Sequence, residues 1–301
     1  MEETAELAEA VAHVGRRVRD AVRSVTLDGD HDVVRRAGGD DVYGLDARAE
    51  QSLFEGLDLL VGKRWPGRLV IEGHDDPLAV GSGDGPWVYL VDPVDGTRPL
   101  LAGKRSAWVL IGAGRGVRTL EDLEVGAAVE ISTGRHALSL VARADRYGYL
   151  EAEDDDLVAG ASPTRVQMRP RADASLDRSF VTVVRLLPGG HGPIGHWADS
   201  HLEDLEVYDD LYPCTGGQMM GLATGSDAAV FDPRPLFHAG SLSVHPYDMA
   251  ALVVARAAGV VIEALPPGPL DFPIDTTTPV AWAGYANESI ADRLRPAMHD
   301  L

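Results

Sequence analysis

The chain has 301 residues, of which 45% are hydrophobic, so it is long enough for one large domain or two smaller ones with sizeable cores. Its formal net charge of −20 argues against binding of nucleic acid by its phosphates, which needs a basic surface, so we expect no nucleic-acid partner. The single cysteine, Cys214, excludes an internal disulfide, while the acidic first residues and the lack of an apolar run of about 20 residues predict a cytoplasmic protein with no membrane partner.

Two amphipathic helices are predicted near the start of the chain, on either side of a polar stretch. Apolar residues recur every three or four positions over 7–25 and again over 46–61, which is typical of helices with one buried face. The polar, glycine-containing stretch 28–41 between them is interpreted as a loop. Asp46 stands at the start of the second helix, where a carboxylate can cap backbone N–H groups.

An unbroken apolar stretch, Trp87–Val91, predicts a strand that is buried on both faces. A shorter strand over 69–71 precedes it, and the Gly-, Asp- and Pro-rich segment 73–86 between them is interpreted as a loop. The acidic run Glu151–Asp156 is interpreted as a solvated loop. Between the buried strand and this run, three apolar stretches predict an antiparallel meander: 107–111, 125–131 and 137–142.

The second part of the chain is expected to alternate strands and helices. A Gly- and Pro-rich break at 188–195 is the candidate boundary between an α+β half, residues 1–188, and an α/β half, residues 189–301. The predicted strands near and after this break are 180–187, 228–231, 260–262 and 280–282. The predicted helices are 217–223, 246–258 and 287–295.

Carboxylates follow or begin several of these predicted elements. Asp92 and Asp95 follow the buried strand, Glu72 follows the short strand before it, and Asp248 lies in the first turn of a helix. Ligands of open α/β sheets bind at the carboxyl ends of the strands, so we expect these side chains to lie at one site. Such a set suits two or three Mg²⁺ ions, and a helix with Thr97 as its N-cap would offer N–H groups to a phosphate.

The sequence around these acids resembles a known family. Asp92-Pro93-Val94-Asp95-Gly96-Thr97 is similar to the DPxDGT signature of the inositol monophosphatase family, which shares a superfamily with fructose-1,6-bisphosphatases and 3′-phosphonucleotide phosphatases. Asp248–Ala251, with Gly259 after its helix, and Leu45–Glu50 are similar to two further motifs of the family, in the family's order. The resemblance implies an α/β fold arranged as a layered αβαβα sandwich.

The resemblance also implies a metal centre. Glu72, Asp92 and the carbonyl oxygen of Val94 would hold one Mg²⁺ ion. Asp92, Asp95 and Asp248 would hold a second, a third ion is compatible with the set, and Mn²⁺ is an alternative cofactor.

Catalytic and substrate-binding roles follow from the same resemblance. Asp46, Thr97 and Glu72 would be the catalytic residues, with Thr97 and the Asp46 behind it orienting and deprotonating the attacking water. The backbone N–H groups of Gly96 and Thr97 would hold the phosphate. The residues that would contact substrate are Gly96, Thr97, Asp95 and Asp232, the last as a hydroxyl-binding acid.

Several positions depart from the family's pattern. Gly73 stands where the family commonly has a second glutamate, so Asp75 and Asp76 are the alternatives for that acid. The stretch Cys214–Gly217 is near the place of the family's Gly-Ser pair but lacks the preceding basic residue. The segment Asp232–His245, where the family reads substrate hydroxyls, is longer than expected.

The implied function is Mg²⁺-dependent hydrolysis of a small phosphate ester, first of all an inositol or sugar monophosphate, by a protein that forms homodimers. Fructose-1,6-bisphosphate and 3′-phosphoadenosine phosphate are alternative substrates. A catalytically silent protein that binds metal or phosphate is the alternative from another class. Phosphatases with an aspartyl nucleophile have two acids separated by one residue, whereas Asp92 and Asp95 are separated by two, which argues against a nucleophilic aspartate.

Overall fold

The computed structural model of the chain describes residues 2–26, 33–37, 40–144, 149–158, 162–185, 191–202, 205–238, 243–299 and 301. For the described residues from 25 to 42, it describes the backbone but not the side chains. The helices are α1 (Glu2–Thr26), α2 (Gly44–Leu57), α3 (Thr97–Leu101), α4 (His191–Leu202), α5 (Thr215–Thr224), α6 (Arg234–Phe237), α7 (Leu252–Ala257) and α8 (Glu288–Met298). Asp58–Gly62 continues α2 as a π-helical turn, and Leu120–Asp122 and Pro246–Met249 are 3₁₀ turns. None of the described helices is both long and apolar enough to cross a lipid bilayer.

The described strands form two large sheets and a hairpin. They are β1 (Val33–Ala37), β2 (Asp40–Tyr43), β3 (Gly67–Ile71), β4 (Leu78–Val80), β5 (Trp87–Asp95), β6 (Ala107–Arg115), β7 (Val125–Ile131), β8 (His136–Arg143), β9 (Tyr149–Asp156), β10 (Thr164–Arg165), β11 (Ser179–Val183), β12 (Val207–Tyr208), β13 (Asp227–Asp232), β14 (Val261–Ala264) and β15 (Trp282–Tyr285).

Both large sheets mix parallel and antiparallel neighbours. The first has the order β10-β9-β8-β7-β6-β5-β3-β4, and the second has the order β12-β11-β13-β15-β14. In the first sheet β5 runs parallel to β3 and antiparallel to β6, which begins the predicted meander of β6, β7 and β8. In the second sheet β11 runs parallel to β12 and β13, while β13 and β14 run antiparallel to β15.

The strand β5 is buried on both faces, as its apolar sequence predicts. Because side chains alternate along a strand, Tyr89 and Val91 join one core with the buried face of α1, while Val88 and Leu90 join a second core. The α1 residues in the first core are Leu7, Val11, Val14, Val18 and Val22. The second core includes α5, α7 and the second sheet, so these two helices lie between the sheets.

The outer face of the second sheet is covered by α4 and α8. Phe231 of β13 and Glu263 of β14 pair with the same residue of β15 and therefore share a face. Phe231 contacts Trp197 of α4, and Glu263 pairs with Arg295 of α8 at 3.1 Å. Gly284 points to the other face, where an added Cβ would lie 2.6 Å from a side chain of α5. The order of layers is α1 and α2, first sheet, α5 and α7, second sheet, α4 and α8, which confirms the expected αβαβα sandwich.

Two segments predicted as loops contain strands. β1 lies within 28–41 and pairs with β2, and β4 lies within 73–86 and pairs antiparallel with β3. Those predictions were wrong because both strands are short and adjoin glycine-rich or charged stretches, so a neighbouring strand has to stabilise them. Residues 27–32 and 38–39 of the first predicted loop lie outside the described residues.

The acidic run 151–156 is not a solvated loop, because it forms most of β9. It pairs antiparallel with β8, and its Ala152 and Asp155 are buried. The buried carboxylate of Asp155 is paired with the guanidinium of Arg19 in α1. The interpretation was wrong because the cation that allows this acid to be buried comes from a distant helix.

The later boundaries also differ from the prediction. α4 begins at His191, inside the break expected at 188–195, and residues 186–190 lie outside the described residues. β11, which precedes them, belongs to the second sheet, and the proposed division of the chain at residue 188 stays a prediction. The helix predicted over 246–258 is a 3₁₀ turn followed by α7.

Candidate active site

Three carboxylates meet where β5 ends. Asp92 and Asp95 lie in the last residues of β5, on either side of an irregularity in its pairing with β6, and Asp248 lies in the 3₁₀ turn Pro246–Met249. Each offers one carboxylate oxygen, and these three oxygens lie within 4.8 Å of one another. The structure therefore brings together acids that are separated by up to half the chain.

Glu72 and Val94 line the same cavity as these three acids. Glu72 directly follows β3, the parallel neighbour of β5, and its charge acts on Asp92. The backbone N–H of Val94 donates to Asp92 Oδ1 at 2.9 Å, which fixes one oxygen of that carboxylate. Glu72 is therefore a fourth acid of this cavity, which lies where β3 and β5 end.

The carboxylate of Asp95 is held by the first turn of α5. Thr215 N–H donates to its Oδ1 at 3.3 Å, Gly216 N–H donates to its Oδ2, and the thiol of Cys214 donates to its carbonyl oxygen at 3.3 Å. A Cβ at Gly216 would lie 2.6 Å from Leu110 and 3.1 Å from the Asp95 carboxylate, so only glycine allows this approach. This contact joins two distant parts of the chain, so the local sequence of Cys214–Gly217 does not reveal it.

Gly96 is the N-cap of the short helix α3, and Thr97 is its first residue, so the prediction of Thr97 as the N-cap was wrong. Gly96 has a φ of 94°, and an added Cβ would lie 3.0 Å from the sulfur of Cys214. The left-handed backbone and the nearby sulfur of Cys214 together require glycine at position 96. Gly96 and Thr97, at the start of α3, line the cavity.

The hydroxyl of Thr97 contacts Asp46 instead of capping a helix. Thr97 Oγ1 lies 2.8 Å from Asp46 Oδ1 and 2.9 Å from the carbonyl oxygen of Val94. Asp46 is the third residue of α2, and its Oδ2 accepts the backbone N–H of Tyr43 at 2.8 Å. Asp46, Thr97 and Tyr43 all line the cavity, so the pair that the resemblance implies is formed.

Burial and mutual repulsion disfavour the charged forms of the clustered acids. Burial is the largest cause that raises the pKa of Asp92 well above its usual range, and the neighbouring acids raise it further: Glu72, Asp95 and Asp248. Burial raises the pKa of Asp95 to about 6, although the N–H groups of α5 lower it. Burial and the charge of Asp95 raise the pKa of Asp248, whose Oδ2 accepts the N–H of His245 at 2.6 Å.

Asp232 is completely buried, and Arg234 rather than Asp232 lines the cavity. Arg234 Nε donates to Asp232 Oδ1 at 2.8 Å, and Nη2 donates to Oδ2 at 2.6 Å. Burial alone would lower the pKa of Arg234, but the hydrogen bonds and charge of Asp232 raise it above its ordinary value. The substrate contact expected for Asp232 stays a prediction.

Other lining residues were not found by the sequence analysis. They are polar side chains from four separate segments: Tyr43, Gln218, Arg234, Ser243 and Tyr247. The signal for Arg234 was the Asp-Pro-Arg sequence directly after a predicted strand, and the others had no distinctive pattern. Asp75 and Asp76 are exposed and do not line the cavity, which leaves Glu72 as the acid contributed by this segment.

No family model and no curated protein matches the sequence of this chain. Solved structures match its fold over nearly the whole length. Fructose-1,6-bisphosphatase from Leishmania major has 15% identity and a TM-score of 0.75, with 98% of this chain and 94% of that one covered. The extragenic suppressor protein SuhB from Bartonella henselae has 17% identity and a TM-score of 0.69, with 97% and 98% covered.

Inositol monophosphatase from Anabaena matches with 14% identity and a TM-score of 0.64, covering 98% of this chain and 96% of that one. These matches extend over both sheets and all layers. At such identities they establish the shared fold, and they confirm at that level the resemblance inferred from Asp92–Thr97 and its companion motifs. The activity has to be argued from the side chains of the cavity.

Proposed function

We propose that this chain is a Mg²⁺-dependent phosphomonoester hydrolase of the inositol monophosphatase type, acting on a small phosphorylated polyol or sugar. The observation that carries the proposal is the meeting of Asp92, Asp95 and Asp248 within 4.8 Å, beside Glu72 and the Asp46–Thr97 pair. The shared fold of named phosphatases supports it.

The donor set fits divalent cations. Buried carboxylates that repel one another are stabilised when hard cations bind between them, and Mg²⁺ prefers oxygen ligands of this kind. Glu72, Asp92 and the Val94 carbonyl would hold one ion, and Asp92, Asp95 and Asp248 a second, with Mn²⁺ able to substitute. When bound, such ions supply activation of water and stabilisation of charge on the phosphoryl group.

The residues of the chain supply the proton path. Thr97 and Asp46 both line the cavity, and the Thr97 hydroxyl donates to Asp46 Oδ1 at 2.8 Å. Thr97 can therefore accept a proton from the attacking water while it passes its own to Asp46. Asp46 is positioned for this by the Tyr43 N–H and by its place in the first turn of α2.

The start of α3 would orient the ester. The positive φ of Gly96 turns the backbone at the edge of the cavity, where N–H groups of Gly96 and Thr97 would bind phosphate oxygens. Hydrolysis would then proceed by direct attack of water, because the two aspartates at the end of β5 would serve as metal ligands and not as nucleophiles.

Phosphate release from a panel of esters tests the proposal. The panel holds inositol 1-phosphate, several sugar monophosphates, fructose-1,6-bisphosphate and 3′-phosphoadenosine phosphate, each with Mg²⁺ and with EDTA. We expect release of phosphate from at least one member with Mg²⁺ and none with EDTA. If a folded protein binds Mg²⁺ but releases no phosphate from any member, the hydrolase proposal is wrong and a silent metal-binding protein is favoured.

A further inference from the structure

One face of α2 carries three side chains that contact two other segments of the chain. Asp46, Glu50 and Phe54 follow one another at intervals of four residues, so they lie on the same side of this helix. Asp46 accepts a hydrogen bond from the hydroxyl of Thr97 at 2.8 Å. Glu50 and Phe54 contact His74 instead. The same helix face therefore contacts both the hydroxyl proposed for proton transfer and the turn that follows β3.

The imidazole of His74 is held by this helix face. Its buried Nε2 lies 3.1 Å from Glu50 Oε1, which is an ion-pair distance without the alignment of a hydrogen bond. The ring of Phe54 packs against the imidazole edge-on, with 6.2 Å between the ring centres and 69° between the ring planes. Neither Glu50 nor His74 lines the cavity, so an effect of this contact on the site has to act through another residue.

That residue is Glu72, because the turn that joins it to His74 is tight. Gly73, between them, has a φ of 78°, and the N–H of His74 donates to the carbonyl oxygen of Ile71 at 3.3 Å. The turn is also held by Thr276, whose hydroxyl donates to the carbonyl oxygen of His74 at 3.3 Å. Since one residue separates Glu72 from His74, the contacts of His74 fix the backbone from which the Glu72 side chain extends.

The acids of the second proposed ion position are held by other segments. N–H groups of α5 bind the carboxylate of Asp95, and the N–H of His245 donates to Asp248 Oδ2 at 2.6 Å. The two ion positions thus depend on separate supports. One is α2 with the turn after β3, and the other is α5 with the turn that contains Asp248.

We infer that His74 and Glu50 are positioning residues that set the affinity of one of the two proposed ions, the one held by Glu72. The inference rests on the proposed function, because it assigns a role to residues behind the metal centre. The contact with α2 holds the turn in place before an ion binds, so less ordering of Glu72 is left for the binding step. α2 thereby positions both this ligand and Asp46, the proton acceptor of the proposed mechanism.

Titrations of the protein with Mn²⁺ test the inference without turnover. Unbound Mn²⁺ is followed by its electron paramagnetic resonance signal, and an affinity is fitted for each site. Glu72→Gln and Asp248→Asn show which affinity belongs to which set of ligands, because each removes one charged ligand. His74→Ala should weaken the Glu72-dependent site by about tenfold or more and leave the Asp248-dependent site within about twofold of the wild type.

Further variants test whether the effect passes through the described contacts. Glu50→Ala should weaken the same site, and Glu50→Ala/His74→Ala should bind no more weakly than His74→Ala alone, because both changes remove one contact. Thr276→Val removes only the hydroxyl that donates to the backbone of His74 and should weaken this site by about two- to threefold. The ratio of the two affinities is the readout, since a general loosening of the protein would weaken both sites.

His201→Ala is the matched control. His201 is also a partly buried histidine with a ring contact, stacked on Trp197 at 5.3 Å, but it lies in α4, on the outer face of the second sheet. Both affinities should stay at the wild-type values in this variant. Unchanged affinity of the Glu72-dependent site in His74→Ala and Glu50→Ala, or equal weakening of both sites, overturns the inference. If phosphate is still released with Mg²⁺, the proposed function survives that result, whereas a wild type that neither binds Mn²⁺ nor releases phosphate removes both together.

Discussion

Two of the groups of buried charged side chains in the described structure are built in opposite ways. Under α1, Arg19 pairs with Asp155, and Ser139 donates to Asp155 at 2.7 Å and accepts from Arg19 at 3.3 Å. At the end of β5, Asp92 and Asp95 lie beside further acids, and their pKa values are raised. The first group is electrically balanced by the protein, and the second is not.

The difference separates a structural role from a functional one. A buried charge is tolerated when the fold supplies its partner, as β9 and α1 do for each other. A set of buried acids without such balance is costly in the free protein, and it becomes favourable only when a ligand supplies the opposite charge. Variants of the two groups should therefore respond to Mg²⁺ in different ways.

The largest effect is expected from Asp92→Asn. Phosphate release with Mg²⁺ should fall by about 10³-fold or more, equivalent to about 4 kcal/mol, because Asp92 would contact both ions. The melting temperature in EDTA should rise by a few degrees, since neutralising a carboxyl whose pKa is raised removes repulsion at neutral pH. Mg²⁺ should raise the melting temperature of the wild type but not of the variant.

Asp75→Asn is the control for that experiment, because Asp75 is exposed and does not line the cavity. It should behave as the wild type in every measurement. An Asp92→Asn protein with wild-type activity would remove Asp92 from the metal centre.

The balanced group predicts the reverse pattern. Asp155→Ala leaves Arg19 buried without its carboxylate and should lower the free energy of unfolding by about 3 kcal/mol, measured with urea. The activity of the folded fraction and its stabilisation by Mg²⁺ should stay as in the wild type. Asp156→Ala, at the next position, breaks the ion pair between Asp156 and Arg135, whose side chain is 59% exposed. It should lower the free energy of unfolding by about 1 kcal/mol or less. Equal losses for the two variants would contradict the distinction.

Thr97→Val tests a contact inside the acidic region to which we assign proton transfer, and not ion binding, in the proposed function. It removes the hydroxyl that lies 2.8 Å from Asp46 and keeps the shape of the side chain. Activity should fall by about 10²-fold, while the rise in melting temperature with Mg²⁺ is retained. Thr224→Val is the control, because the described contacts of that hydroxyl lie within α5 and with Ser226. Loss of the Mg²⁺ response in Thr97→Val would assign Thr97 to the metal centre.

The smallest effect is expected at Asp227, a partly buried acid that has both an acid and a cation near it and is therefore intermediate between the two groups. Burial raises its pKa to about 6, the charge of Asp210 adds to this, and Arg105 opposes it. Because the folded pKa exceeds the unfolded value of about 3.9, Asp227 disfavours folding increasingly as the pH rises from about 4 to above 6. Asp227→Asn should therefore gain about 1–2 kcal/mol over the wild type across that interval, measured by unfolding at several pH values. A gain that does not vary with pH would contradict the assigned cause.

Much of the framework could be predicted from local patterns. The apolar residues of α1 recur every three or four positions, β5 is an unbroken apolar run, and the strands of the meander after it are apolar stretches. Each of these local patterns indicates which residues are buried. The acids at the end of β5 could be predicted as a site because two carboxylates follow a strand buried on both faces. Asn287 begins the helix predicted over 287–295, and its side-chain oxygen caps α8 by accepting the N–H of Ile290 at 3.0 Å.

The strands that were wrongly predicted as loops share one physical feature, which is that distant parts of the chain stabilise them. β9 is stable because β8 pairs with it and Arg19 neutralises Asp155, and neither partner is adjacent in the sequence. β1 and β4 likewise depend on a neighbouring strand. Polar composition indicates a loop only where no distant partner supplies the pairing or the charge.

The candidate chemical groups could be identified from the sequence alone: Glu72 after β3, the two aspartates at the end of β5, Asp248 and the Asp46–Thr97 candidates. Their placement depends on tertiary contacts: the N–H groups of Thr215 and Gly216, in the first turn of α5, hold the carboxylate of Asp95 although they are 120 and 121 residues away in the sequence. It also decided that Asp232 is buried and that Arg234 faces the cavity. Local sequence sets the conformation and chemistry of each segment, but only packing sets which charged group is buried and which is presented to a ligand.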